Sequence, residues 1–317
     1  MGRARDIANV LTTIQNIDVS SSLDSRIYIN SASPSTPQNG QIWINTSSAS
    51  SPVIQTYGSG QFRTPRLNTN KATGGTITYS NVYTIHTFTS TGNFVCLDNL
   101  TCEYIIIAGG GGGAGGGAGG LRYISSGLVT SGTYSVVIGA GGNGGSVDNR
   151  GTNGSDSSFN SLTSTGGGAG GIRYNTSGAG VGGGSGGGGA GGFGGFGVGG
   201  SGVSGQGNNG GTGSGTTSDS SSGGGGAGSA GNGSSTAVGG NGGSGAAYSI
   251  TGSSVYYAGG GGGFGTGGNG TGGIGGGGSP GNAGTVNTGG GGGPSTSNNT
   301  GSGFGGGSGI VIIRYLT

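Results

Sequence analysis

Tyr248, Tyr256 and Tyr257 fall in Ala246-Ala-Tyr-Ser-Ile-Thr-Gly-Ser-Ser-Val-Tyr-Tyr, a separator poor in glycine within a chain that is otherwise crowded with it. An aromatic ring carrying a hydroxyl offers contact area at a small entropic loss, which suits recognition of a sugar or protein surface. A second reading has the same rings packing over the ends of glycine segments. Asp219, in the separator Ser201 to Ser222, is the only charge between Arg173 and Arg314 and is a further recognition candidate. The other reactive types point away from chemistry. His86 is the only histidine, and its neighbours alternate as in a strand, so it reads as a surface or satisfied sheet residue rather than the base of a triad. Asp148 and Asp156 bracket oxygen donors without calcium-loop spacing. Gly139-Ala-Gly-Gly-Asn-Gly imitates a dinucleotide fingerprint but opens no helix. Cys96 and Cys102 flank Leu-Asp-Asn-Leu-Thr between two β-rich runs, as either a disulfide across a hairpin or two small buried hydrophobes. No enzyme activity, cofactor or metal is expected.

The elements that must hold these residues are set by glycine. Only seven of the 95 glycines precede Gly109. Glycine loses the most backbone freedom on folding and brings no side chain to bury, so an ordinary core cannot order the remainder. Either that region is disordered, or glycine is itself the packing element. Polyproline II chains can lie side by side and exchange N–H···O=C bonds where no Cβ intervenes. Disordered segments usually stay soluble through net charge, yet charged residues make up 6% of this chain, against about 25% in ordinary domains. Six prolines and no strict three-residue period exclude collagen. A formal charge of +2 without an Arg-Gly-Gly triplet predicts no nucleic-acid partner.

Three regions follow. Residues 1–25 carry Ile7, Val10, Leu11, Ile14 and Ile17 at the spacing of a short amphipathic helix whose stripe needs a partner. Residues 26–72 hold short strands around Ile27, Trp43 and Ile54, too few for an independent core. Residues 73–317 begin with alternating strands and end in Gly309-Ile-Val-Ile-Ile-Arg-Tyr. A buried-type strand after some 200 glycine-rich residues has to pair with the strands before it, which ties both ends of the intervening chain and predicts an ordered domain. At about 3.1 Å per residue, glycine runs such as Gly182 to Gly200 become rods joined by polar turns. The expected class is therefore mainly β, with a polyglycine II rod bundle framed by strands and a short N-terminal helix.

Four motifs carry a resemblance over residues 73–317: Thr84-Ile-His-Thr-Phe-Thr-Ser-Thr-Gly-Asn-Phe, Glu103-Tyr-Ile-Ile-Ile-Ala-Gly-Gly, Tyr134-Ser-Val-Val-Ile-Gly-Ala-Gly-Gly and the closing strand. The chain resembles glycine-rich bacteriophage tail-fibre and adhesin proteins of the kind found in marine cyanophages. Pro37-Gln-Asn-Gly-Gln-Ile-Trp-Ile-Asn is similar to a small repeated β-module of tail fibres. The resemblance implies a homotrimeric virion protein that attaches to other tail proteins through its N-terminus. Its loops would bind a host surface glycan or outer-membrane protein, and a capsid-attached or purely structural virion fibre is the alternative. No stretch reads as a signal peptide or membrane span, which implies synthesis in the host cytoplasm and release by lysis.

Overall fold

The computed structural model describes residues 27–47, 53–63, 71–146, 149–172, 178–192, 195–213, 220–296 and 303–317. The expected N-terminal helix, with Ile7, Val10, Leu11 and Ile14, lies outside these residues, as do Asp148 and Asp219. The described residues are mainly β and contain no helix. The chain divides into two compact units, Met1–Thr69 and Asn70–Thr317.

The first unit contains one four-stranded sheet: β1 (Ile27–Asn30), β2 (Ile42–Asn45), β3 (Val53–Gly58) and β4 (Gln61–Arg63), in that order. β1 and β2 run parallel and the remaining pairs antiparallel. Trp43 anchors it, with its indole N–H donating to Asn30 O at 3.0 Å and its ring edge-on to Phe62 at 5.2 Å. That satisfies the one polar atom of an otherwise apolar side chain.

The second unit is organised by a five-stranded antiparallel sheet. Its strands are β6 (Thr76–Ser80), β7 (Tyr83–Phe88), β9 (Leu100–Ile107), β10 (Leu121–Val129) and β18 (Ile310–Leu316), in the order β10-β9-β18-β7-β6. The last strand of the chain thus lies between two early ones, with Ile313 opposite Tyr104 on one side and His86 on the other. Side chains of a strand alternate between faces. Tyr104, Ile106, Val311, Ile313 and Phe88 consequently join one core, and Ile105, Ile107, Ile310, Ile312 and Ile85 join another. Burial on both faces explains why Tyr104 to Ile107 of β9 and Ile310 to Ile313 of β18 read as unbroken apolar runs.

The first face is covered by the three-stranded sheet β11-β8-β5, made from β5 (Ala72–Thr73), β8 (Gly92–Cys96) and β11 (Gly132–Val136), and by the hairpin β12 (Ser157–Phe159) to β13 (Leu162–Ser164). Phe159 stacks edge-on against Phe94 and Tyr104, at 5.7 and 5.2 Å. The second face is covered by glycine-rich chain and by the hairpin β16 (Ala246–Tyr248) to β17 (Val255–Tyr257). A further two-residue pair, β14 (Gly191–Gly192) and β15 (Gly195–Phe196), lies in the glycine region.

Most of the described glycine-rich chain belongs to no strand, yet many of its backbone N–H groups donate to carbonyls of distant segments. The successive N–H groups of Gly117, Ala118, Gly119 and Gly120 donate to Gly168, Gly225, Gly289 and Thr165, at 2.8–2.9 Å. A β-strand has two neighbours in one plane, whereas this segment has neighbours on several sides. The approach is possible because no Cβ intervenes: one added at Gly110, Gly111, Gly187 or Gly261 would overlap a carbonyl group of the adjacent segment. Backbone amides buried in this way are satisfied by one another.

Candidate functional site

The tyrosine separator is the β16–β17 hairpin. Its register pairs Ala246 with Tyr257, Ala247 with Tyr256 and Tyr248 with Val255. Alternation turns Tyr248 and Tyr257 toward the five-stranded sheet and leaves Tyr256 on the outer face. Tyr257 is buried in the second core, so it is not available to a partner; Tyr256 is 46% exposed. The two readings of these tyrosines therefore divide by residue, since a two-residue period places neighbours on opposite faces.

Tyr248 meets a ring the sequence did not single out. Tyr123 of β10 lies 4.7 Å from it, centroid to centroid, and is itself 39% exposed. The Tyr123 hydroxyl donates to Glu103 Oε1 at 3.1 Å, while Arg314 Nε and Nη2 each reach Glu103 Oε2 at 2.7 Å. Arg314 Nη1 donates to the carbonyls of Ser249 and Ile250 at 2.9 and 3.3 Å, and the guanidinium lies 4.5 Å above the Tyr83 ring. Arg314 thus fastens the hairpin turn to β9, β18 and β7. Burial raises the phenol pKa of Tyr248 and of Tyr257, and burial followed by the Glu103 carboxylate raises that of Tyr123. All three stay protonated at neutral pH. The missed signal was pairing register: Glu103 and Arg314 lie 211 positions apart and meet only because β18 returns beside β9.

The amides of the polar separators are largely engaged in holding backbone. Asn153 accepts from Ala169 N, Asn209 from Gly202 N, Asn241 from Thr271 N and Asn269 from Gly265 N, each at 2.9 Å. Asn208 donates to Gly226 O and Ala227 O.

His86 is a satisfied sheet residue. Its Nδ1 lies 2.7 Å from Gly74 O and its Nε2 3.1 Å from the Tyr315 hydroxyl, and burial holds its pKa below 6.5. Cys96 on β8 and Cys102 on β9 are free thiols buried in the first core, not a disulfide. They belong to different sheets rather than to opposite strands of one hairpin. Burial raises both thiol pKa values, that of Cys102 to about 12. Asp156 accepts from Gly166 N at 2.7 Å and so holds backbone. In the fingerprint-like run, Gly139 N donates to Ser157 Oγ and Gly142 N to Gly110 O, leaving those amides no phosphate to hold. Among the described residues no cluster of histidine, cysteine or carboxylate side chains is arranged to hold a metal.

The profile of the glycine-rich domain family matches residues 86–316, and the chain belongs to that family. Comparison with curated proteins finds no match.

Proposed function

We propose that this chain is a bacteriophage tail-fibre or adhesin subunit that binds the host cell surface. One observation supports the reading above others: glycine segments pack backbone against backbone, so that a Cβ at Gly110, Gly111, Gly187 or Gly261 would overlap a neighbouring carbonyl, while several large apolar side chains of the region are turned outward to its periphery. Phe196, Val198, Ile274 and Val286, 63%, 61%, 56% and 66% exposed, are such peripheral side chains. Loops on a rigid scaffold are where binding residues concentrate. In this reading the segments are polyglycine II rods, with three residues per turn accounting for amides that point to several neighbours.

The contact surface is assigned to Tyr256, to the Tyr248–Tyr123 pair beneath it and to the separator around Asp219, and its partner is a host glycan or outer-membrane protein. Residues 1–25, through Ile7, Val10, Leu11 and Ile14, join other tail proteins. The subunit is a homotrimer, made in the host cytoplasm and released by lysis. Several weak contacts per particle then add as avidity, by about 10² to 10⁴ over one site.

The test is genetic and visual. Labelled electron microscopy should place the protein at fibre tips, and phage carrying Tyr256→Ser and Tyr123→Ser should adsorb more slowly with intact particles. Deleting residues 1–25 should leave a folded glycine-rich domain that no longer joins virions. Label on the capsid, or normal adsorption of the tyrosine double variant, would overturn the reading.

A further inference from the structure

The glycine-rich region contains six Asn–Gly pairs, at Asn143, Asn153, Asn209, Asn232, Asn241 and Asn269. This dipeptide is chemically labile. The glycine nitrogen, having lost its proton to solvent base, attacks the asparagine Cγ; the Cγ–N bond breaks, ammonia leaves with a proton from water, and a five-membered succinimide forms. Water then adds to either imide carbonyl and yields aspartate or isoaspartate. The reaction consumes one water, releases one ammonia and needs no other reactant. It does need a glycine N–H and a side-chain amide free to approach each other.

The fold divides the six pairs into two groups. At Asn153, Asn209, Asn241 and Asn269 the side-chain carbonyl accepts a backbone N–H, and the following glycine donates its own. Gly154 N reaches Gly167 O at 2.9 Å, Gly210 N reaches Gly200 O at 3.0 Å, Gly242 N reaches Thr271 O at 2.9 Å and Gly270 N reaches Gly263 O at 2.9 Å. Both reacting groups are pinned. At Asn143 and Asn232 neither is: among the described residues the N–H groups of Gly144 and Gly233 donate to nothing, and neither side chain makes a hydrogen bond. Both asparagines and both following glycines are exposed.

Local sequence does not explain the division. Gly142-Asn-Gly-Gly, unpinned, is identical to Gly240-Asn-Gly-Gly, pinned; Asn232-Gly-Ser matches Asn153-Gly-Ser. We infer that Asn143 and Asn232 are sites of spontaneous succinimide formation and deamidation in the folded protein, and that the glycine bundle protects the other four. This is independent of the host-binding reading. Conversion at both adds two carboxylates and takes the formal net charge from +2 to 0. Isoaspartate also adds a carbon to the main chain. At Asn232 that displaces either the N–H donated to Asn241 O or the carbonyl that accepts from Gly223, at 2.9 and 3.0 Å.

The experiment incubates the full-length folded chain in mildly alkaline buffer at physiological temperature and maps each pair over time by peptide mass spectrometry, with a parallel sample unfolded in guanidinium. Asn143 and Asn232 should convert at least about tenfold faster than the four pinned asparagines, which react only through local opening. In guanidinium the matched pairs should converge. Equal rates in the folded chain, no conversion at Asn143 and Asn232 there, or a difference that persists on unfolding would each overturn the inference. Asn143→Gln with Asn232→Gln should abolish the acidic shift of the aged protein; an undiminished shift would do the same.

Discussion

Gly261→Ala is the sharpest probe of a core built from backbone. Gly261 N donates to Gly116 O at 2.8 Å and its carbonyl accepts from Gly224 N at 2.9 Å, while an added Cβ would overlap the Gly292 carbonyl oxygen and lie 2.6 Å from its carbon. The overlapped atoms are main chain, so no rotamer change relieves the clash and the segments must separate. Overpacking that moves backbone costs about 1–3 kcal/mol. Loosening the two hydrogen bonds of Gly261 adds about 1 kcal/mol each. The expected loss is therefore about 3–5 kcal/mol, a large share of the roughly 5–15 kcal/mol that holds a domain. For a unit of this size each kcal/mol moves the midpoint by about 2–4 °C, so calorimetry should find Tm lower by roughly 6–20 °C. Gly92→Ala is the control, because the nearest atom to its Cβ is Phe88 Cε1 at 3.8 Å; it should change stability by under about 1 kcal/mol. A Gly261→Ala protein melting with the wild type would refute the backbone-core reasoning.

Acid sensitivity should come from His86. Burial lowers its pKa in the folded state, so the unfolded chain binds a proton that the folded one does not, and stability should fall as pH drops below 6.5 and level off beneath the folded-state pKa. Denaturant melts of wild type and His86→Gln between about pH 5 and 7 check this; equal slopes would exclude His86 as the source. The two adjacent hairpin tyrosines should behave oppositely. Tyr256→Ser should change stability by no more than about 0.5 kcal/mol, and Tyr257→Ser should cost about 3 kcal/mol through lost core burial, both read from urea midpoints. Arg314→Met leaves Glu103 without its cation and frees the Ser249 and Ile250 carbonyls, and amide exchange across residues 246–257 should quicken accordingly. Cys96 and Cys102 should resist alkylation in the folded protein and react once it is unfolded, since burial disfavours both thiolates.

Composition alone determined that the glycine runs after Gly109 bring no side chains by which an ordinary core could order them, and the closing Ile310 to Tyr315 run determined that the end of the region must return to a sheet. Those readings need only glycine's missing Cβ and the apolarity of a strand buried on both faces. The alternation around His86 likewise placed it in a strand. What tertiary structure decided is which side chains meet. Local pattern put Tyr248, Tyr256 and Tyr257 in one separator, but only the hairpin register and its seat on the sheet sent Tyr257 inward and Tyr256 outward. Cys96 and Cys102 are six residues apart and looked like hairpin partners, yet the chain between them crosses from one sheet to another. Nothing in the local sequence around Glu103, Tyr123 and Arg314 shows that the three meet. Their meeting depends on β18 pairing with β9 across two hundred residues, a contact whose partners no sequence period encodes, because it is selected by the packing of the whole sheet.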